Sequence, residues 1–331
     1  MNTMRLIRSF LIALAAGCAA AAAAQSQTAA PTSSYPDKSI RLVLGVPPGG
    51  STDIVARIIV VKLAEALGQQ IVIDNRGGAG GAIATDIVAR AAPDGYTLLF
   101  AYASHTTTPF LYKSVPYDPV KSFTPITQVA TQPLVITIHP SLPVNTIGEL
   151  IAYAKAHPGK LNIGIAGAGS GGHIASEYFK QLTGTQIVSI IYKGGGPSMI
   201  ALLGGEVQLM FASTSTAMAF IKQGKLKVIA TTSTQRLPYL PEVPTFDEGG
   251  VKGLRVTAWQ GLLGPARLPR AIVDRLYAEV VKVLRMPEVR ESLAATGTDP
   301  AGSTPEEFAA EINNQLEHLG KVIRAAGMKV Q

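Results

Sequence analysis

Two short glycine-rich stretches hold most of the chemistry this chain can offer. In 47-PPGGSTD-53, Gly49 and Gly50 let backbone approach closely, Ser51 or Thr52 can cap a helix, and Asp53 suits its first turn. In 167-GAGSGGH-173, glycines surround Ser170 ahead of another helical stretch. Each loop follows an apolar run, 40-IRLVLGV-46 or 161-LNIGIA-166. Strand, glycine loop and first helical turn leave backbone N–H groups unpaired at the positive end of a helix dipole, which is a seat for an anion. Gly50 and Gly171 are the positions where positive φ is expected. The plainer reading is a pair of capped strand–helix connections.

Other chemistries fit these residues less well. The first loop lacks the Lys-Ser/Thr of a Walker A phosphate loop. Gly167, Gly169 and Gly172 spell G-x-G-x-x-G, but no acidic residue ends the next strand at 187–191, as a dinucleotide site requires. The segment 168-AGSGG-172 approximates a serine-hydrolase elbow, with Asp247 and His318 in the chain order of a triad. Asp247 falls in a proline-rich loop and His318 inside a helix, so an exported hydrolase using Ser170 is the alternative rather than the main reading. His173 reads as a helix-start residue that hydrogen-bonds. His105, in 102-YASHTTTP-109, faces either pocket or surface. Lys193, ahead of Gly194 and Gly195, either meets a carboxylate or faces solvent. The histidines show no metal spacing.

These loops need a scaffold of alternating strands and helices. Strand 40–46, helix 52–67, strand 70–74, helix 82–91 and strand 96–101 form a βαβαβ series, which implies a parallel sheet. A second series runs from helix 147–157, capped by Thr146 with Glu149, through strand 226–231. Helices near 270–285, 287–295 and 305–326 close the chain. The fold expected is α/β and two-lobed, each lobe a mainly parallel sheet flanked by helices. Residues 35–130 plus 231–331 form one lobe and 131–230 the other. Stretches 126–138 and 226–231 are the candidate crossovers, making a hinge that closes on a ligand.

The first residues read as an export signal. Arg5 and Arg8 precede the apolar run 9-SFLIALAAGCAAAAAA-24, and cleavage is expected near Ala24, with residues 25–34 a disordered polar linker. Lipidation at Cys18 is the less favoured alternative. Cys18 is the only cysteine, so cleavage leaves no disulfide or thiolate site. Loss of Arg5 and Arg8 takes the formal charge from +7 to +5. That modest, scattered excess lacks the clusters expected for nucleic acid.

The ordered segments 36-PDKSIRLVLGVPPGGSTDIVAR-57, 74-DNRGGAGG-81, 93-PDGYTLL-99, 192-YKGGGP-197, 241-PEVPTFDEGG-250 and 258-AWQGLLGPARLP-269 resemble the Bug (TctC-like) family. These are extracytoplasmic solute receptors of tripartite tricarboxylate transporters. The resemblance spans the mature chain and implies a Venus-flytrap fold of type II. It also implies a periplasmic binding protein without enzymatic activity or cofactor, expected to be a monomer, that serves a two-component membrane permease; a receptor whose ligand-loaded form signals to a sensor kinase is a further alternative. The implied ligand is a small carboxylate: an organic, amino or aromatic acid. The residues expected to hold it are Pro48, Gly49, Gly50, Ser51 and Asp53 from the first loop, and Ala168, Gly169, Ser170, Gly171 and His173 from the second. Tyr102, Ser104, His105, Lys193, Gly194, Gly195 and Ser213 are the expected walls. Gly45-Val46, Gly77, Gly172 and Ala212 depart from the commoner family pattern, and the last two adjoin the presumed pocket.

Overall fold

The computed structural model describes residues 35–325; the export signal, Cys18 and the linker at 25–34 lie outside them. The first half runs β1 (Ile40–Leu44), α1 (Ser51–Leu67), β2 (Ile71–Asn75), α2 (Ala82–Ala89), β3 (Thr97–Tyr102) and α3 (Ser104–Leu111). Then come β4 (Phe123–Ile138), α4 (Ile147–Ala156), β5 (Asn162–Ile165), α5 (Gly171–Thr183), β6 (Val188–Ile191) and α6 (Gly195–Leu203). The chain continues through β7 (Leu209–Ser213), α7 (Thr214–Lys222), β8 (Lys227–Thr231), β9 (Thr257–Pro265), α8 (Arg270–Leu284), α9 (Pro287–Ala295), β10 (Asp299–Pro300) and α10 (Pro305–Ala325).

Strands β2, β1 and β3 are parallel, and β9 then β4 continue that sheet antiparallel. The far half of β4, from Leu134, leaves β9 and pairs antiparallel with β7 and β8, while β7, β5 and β6 run parallel. The α/β architecture is therefore as expected, but each sheet is mixed. Its parallel strands come from β-α-β connections, and its antiparallel ones come from the chain crossing over and returning.

The long strand 126–138 does cross between sheets, as β4. Strand 226–231 does not: β8 stays in the second sheet. The return is made by β9, after a loop whose Phe246, Val251 and Leu254 pack into the second sheet's core with Phe211 and Ile229. At the crossing, Leu134 N–H donates to Thr232 Oγ1 (2.9 Å), and Thr232 Oγ1 donates to Val256 O (2.6 Å). One threonine thus ties both crossing segments together.

Helix α3 is not among the elements that the sequence pattern predicts. Three consecutive β-branched threonines and Pro109 disfavour a helix. Tertiary packing overrides that cost: Thr106, Thr107 and Thr108 are fully buried, and the Thr106 hydroxyl donates to Ala103 O (2.9 Å). Capping fixes the helix starts that the sequence marked. Glu149 N–H donates to Thr146 Oγ1 at α4, and Thr304 and Glu307 bond reciprocally at α10.

Candidate functional site

The first glycine loop is held rigid from behind. Asp53, on the first turn of α1, accepts from Gly49 N–H (3.0 Å), from Arg57 through both carboxylate oxygens (2.9 and 3.0 Å) and from Asn75 (3.0 Å). Burial alone would raise the Asp53 carboxyl, but these bonds and the Arg57 charge hold it below its ordinary value. Asn75 also donates to Val46 O (3.0 Å). No side chain caps α1 at Gly50, so the N–H groups of its first turn are left for something in front of the loop. The left-handed backbone falls on Gly49 (φ 84°), while Gly50 sits at φ −79°. This corrects the expectation for Gly50.

The second loop is braced by its own helix. Ser170 caps α5 by accepting from His173 N–H (3.2 Å), and Gly169 N–H donates to His173 Nδ1 (3.1 Å). A ring that accepts at Nδ1 is neutral, with its one proton on Nε2, and burial lowers its tendency to take a second proton, despite Glu177 nearby. Positive φ occurs at Gly167 and Gly169, not at Gly171, which begins α5. The hydrolase reading gains nothing here. His173 is committed to the loop, and Asp247 pairs with Arg255 (2.8 Å) and Gly253 N–H (2.8 Å).

Between the two sheets lies a cavity of about 50 Å³. The start of α1 (Gly50, Ser51, Thr52) faces it from one side, and the start of α5 (Ser170, Gly171, Gly172) from the other. Gly195 brings the start of α6, and Ser213 with Thr216 the start of α7. Val46, Tyr102, Ala103, Leu134, Ala166 and Ala258 fill the walls, with Met210, Phe211, Trp259 and Gln260. None of these lining side chains carries a charge. Burial pushes the Tyr102 phenol up to about 12, so it stays neutral. Such a site can hold an anion on helix N-termini and uncharged donors alone.

Of the residues expected from sequence, the cavity gathers Gly50, Ser51, Tyr102, Ser170, Gly171, Gly195 and Ser213. Pro48, Gly49, Asp53, Ala168, Gly169, His173 and Gly194 shape the loops without lining it. Gly194 packs on Pro47 and leaves no room for a Cβ. Three expected wall residues stand elsewhere. Lys193 is exposed. Ser104 is buried beside Gly81. His105 is neither in the pocket nor on the surface, but packs edge-on to Phe123 and bonds Pro119 O through Nε2 (2.8 Å). Sequence reasoning missed Thr216 and Gln260. Thr216 lies one helical turn beyond Ser213, and Gln260 is a lone amide in the otherwise apolar run 258-AWQGLL-263; both were available signals.

A sequence family described as "Tripartite tricarboxylate transporter family receptor" matches residues 55–328. The chain belongs to this family. BugT of Bordetella pertussis is 34% identical over the full length of both chains. Among solved structures, the periplasmic binding protein BugD is 36% identical with a TM-score of 0.86, covering 89% of this chain and 100% of its own. Rpa4515 of R. palustris, solved with adipate, is 32% identical with a TM-score of 0.87 and the same coverage. MatC of Rhodopseudomonas palustris, solved with bound malate, is 32% identical with a TM-score of 0.83, covering 87% of this chain and 100% of its own. The protein is therefore a periplasmic solute-binding receptor of two-lobed fold. Among the described residues, no helix is long and apolar enough to cross a membrane.

Proposed function

We propose that this receptor closes on a small carboxylate between its two sheets and delivers it to the two-component permease of a tripartite transporter. The observation that carries this reading is the uncharged cavity at which the starts of α1, α5, α6 and α7 converge. The first-turn N–H groups that no side chain takes supply partial positive charge without a lysine or arginine. The adipate and malate held by two relatives of similar fold are acids of the same class. Residues 232–254 travel with the second jaw, because Phe246 and Leu254 belong to its core. The receptor works as an exported monomer, cleaved near Ala24, and needs no cofactor.

The test is a thermal-shift screen of the mature protein over mono-, di- and tricarboxylates and aromatic acids, with neutral sugars and amines as controls. A ligand present at a hundred times its dissociation constant adds about 2.7 kcal/mol to the folded state. A shift with at least one acid is expected. Shifts with sugars or amines and with no acid would overturn the reading.

A further inference from the structure

Two glutamines on one sheet face each lack a partner. Gln132 pairs with Ala258, and Gln260 with Ala130, across β4 and β9, so the two amides are diagonal neighbours on the same side. Both residues are buried, at 0% and 1% exposure. Gln132 Oε1 accepts from Ser215, through its Oγ–H (2.7 Å) and its backbone N–H (3.4 Å). A backbone N–H can only donate, which fixes the oxygen of Gln132 at Ser215 and turns Nε2 away. That nitrogen is buried without a hydrogen-bond partner among the described residues, and so is Gln260 Oε1. An orphaned donor and an orphaned acceptor thus lie within reach of each other, directly or through one water. Unmet buried polar groups are costly, so this complementarity holds Gln260 Oε1 inward. The reverse amide orientation would set two donors side by side. Gln260 Nε2 is then the end that meets the cavity, with the first turns of α1 and α5 around it.

We infer that Gln260 is a binding residue whose Nε2 donates to an oxygen of the bound acid, and that Gln132 is the positioning residue that keeps the amide turned that way. The inference rests on the carboxylate reading above and deepens it. Ser215 lies on the first turn of α7, so the donors run in one direction: Ser215 to Gln132, Gln132 to Gln260, Gln260 to the acid. Each bond in such a chain polarises the next. The chain ends on a neutral N–H₂ group, in keeping with a cavity whose lining side chains are all uncharged.

Calorimetric titration with acetate, benzoate, malate and adipate at pH 6 and 8.5 tests this. Gln260→Met keeps the length and removes the donor. Acids that the wild type binds should bind it tenfold or more weaker, about 1.4 kcal/mol. Gln260→Glu should bind weaker still at pH 8.5, where a second carboxylate faces the acid. At pH 6 it should recover tenfold or more, because burial and the bound anion favour its protonated form, whose O–H donates. The wild type should hold its affinity across this range. Tyr102, opposite Gln260, is the one titratable side chain lining the cavity, and burial pushes it up to about 12. His173, behind the second loop, is kept neutral by burial. Gln132→Met should weaken the acid in the wild-type background and leave the affinity of Gln260→Met unchanged. Should Gln260→Met fail to fold, the pH comparison of Gln260→Glu decides alone. Unchanged affinity in Gln260→Met, or an affinity of Gln260→Glu that does not fall from pH 6 to 8.5, would overturn the role of Gln260. Losses that simply add would overturn the role of Gln132. Each of these outcomes leaves the carboxylate reading standing. Failure of the wild type to bind any of the four acids overturns both.

Discussion

His105 shows how a residue chosen for chemistry can instead serve the core. Its Nε2–H donates to Pro119 O, which leaves Nδ1 as a bare lone pair, buried and without a partner. A second proton there would be a buried charge with nothing to receive it. Burial, only partly offset by the Pro119 bond, lowers its pKa from the ordinary 6.5 to about 4. The unfolded chain therefore takes the proton first. The stabilisation is whole above pH ~6.5 and is lost as pH falls from there to about 4, in total about 3 kcal/mol. Gln at this position keeps an N–H near the Nε2 place and removes the titration. Urea unfolding at pH 7.5 and 4.5 is expected to show a larger loss for wild type than for His105→Gln, by about 2–3 kcal/mol. Equal losses would show that the imidazole takes no part in the acid response. From sequence, His105 stood between pocket and surface because a strand end does not reveal what packs over it. Asp53 was legible as a first-turn acid, but its task of locking Gly49 depends on Asn75, twenty-two positions away.

At the scale of elements, the strands and most helices were legible because their apolar spacing is local information. The glycine loops were legible for a similar reason, since close backbone approach restricts residue type. Helix α3 was hidden because its stability comes from burial, against the preferences of its own threonines. Strand β8 was misplaced as a crossover because an apolar run names no partner. Gln260 stood out as a lone amide, but its place at the cleft was not legible because the face of β9 that meets the cleft is set by pairing with β3 and β4. The same strand holds a packing device. A Cβ at Gly261 would collide with the ring of Phe308 on α10, which itself packs edge-on to Trp259 with centroids 5.5 Å apart. Phe308 is 1% exposed and has nowhere to retreat. Gly261→Ala should therefore destabilise by about 1–3 kcal/mol through overpacking. Phe308→Leu alone should also destabilise, but the double variant should cost less than the sum. A denaturant double-mutant cycle with simple additivity would mean that the ring and the glycine do not share one space.

At the scale of the whole molecule, the two halves touch across the cleft. Helix α3, built on the first sheet, reaches the second: Thr107 Oγ1 donates to Gly169 O at 2.6 Å, on the loop that feeds α5. Gly195 and Gly196 pack on the 48–50 backbone from the opposite side. Thr232 ties Leu134 to Val256 at the crossing, the point about which the proposed closure would turn. Such a body has two states, and a ligand shifts their balance only through contacts made in the closed one. In the closure proposed above, the Thr107–Gly169 bond would form only when the jaws meet, so it would act on closure rather than on the ligand. Thr107→Val keeps the β-branched shape and removes the donor. The net worth of one hydrogen bond, about 0.5–1.5 kcal/mol, predicts a carboxylate affinity roughly 2- to 12-fold weaker, carried mainly by faster release. Thr107→Ser should restore most of it. Small-angle scattering should show a smaller radius of gyration when wild type binds, and Thr107→Val should need more ligand to reach the same compact form. A valine variant that binds as tightly and closes at the same ligand concentration would mean that this strap does not hold the jaws. Closure would then rest on the contact between the 48–50 loop and α6, where glycine on both sides lets two backbones meet without side chains between them.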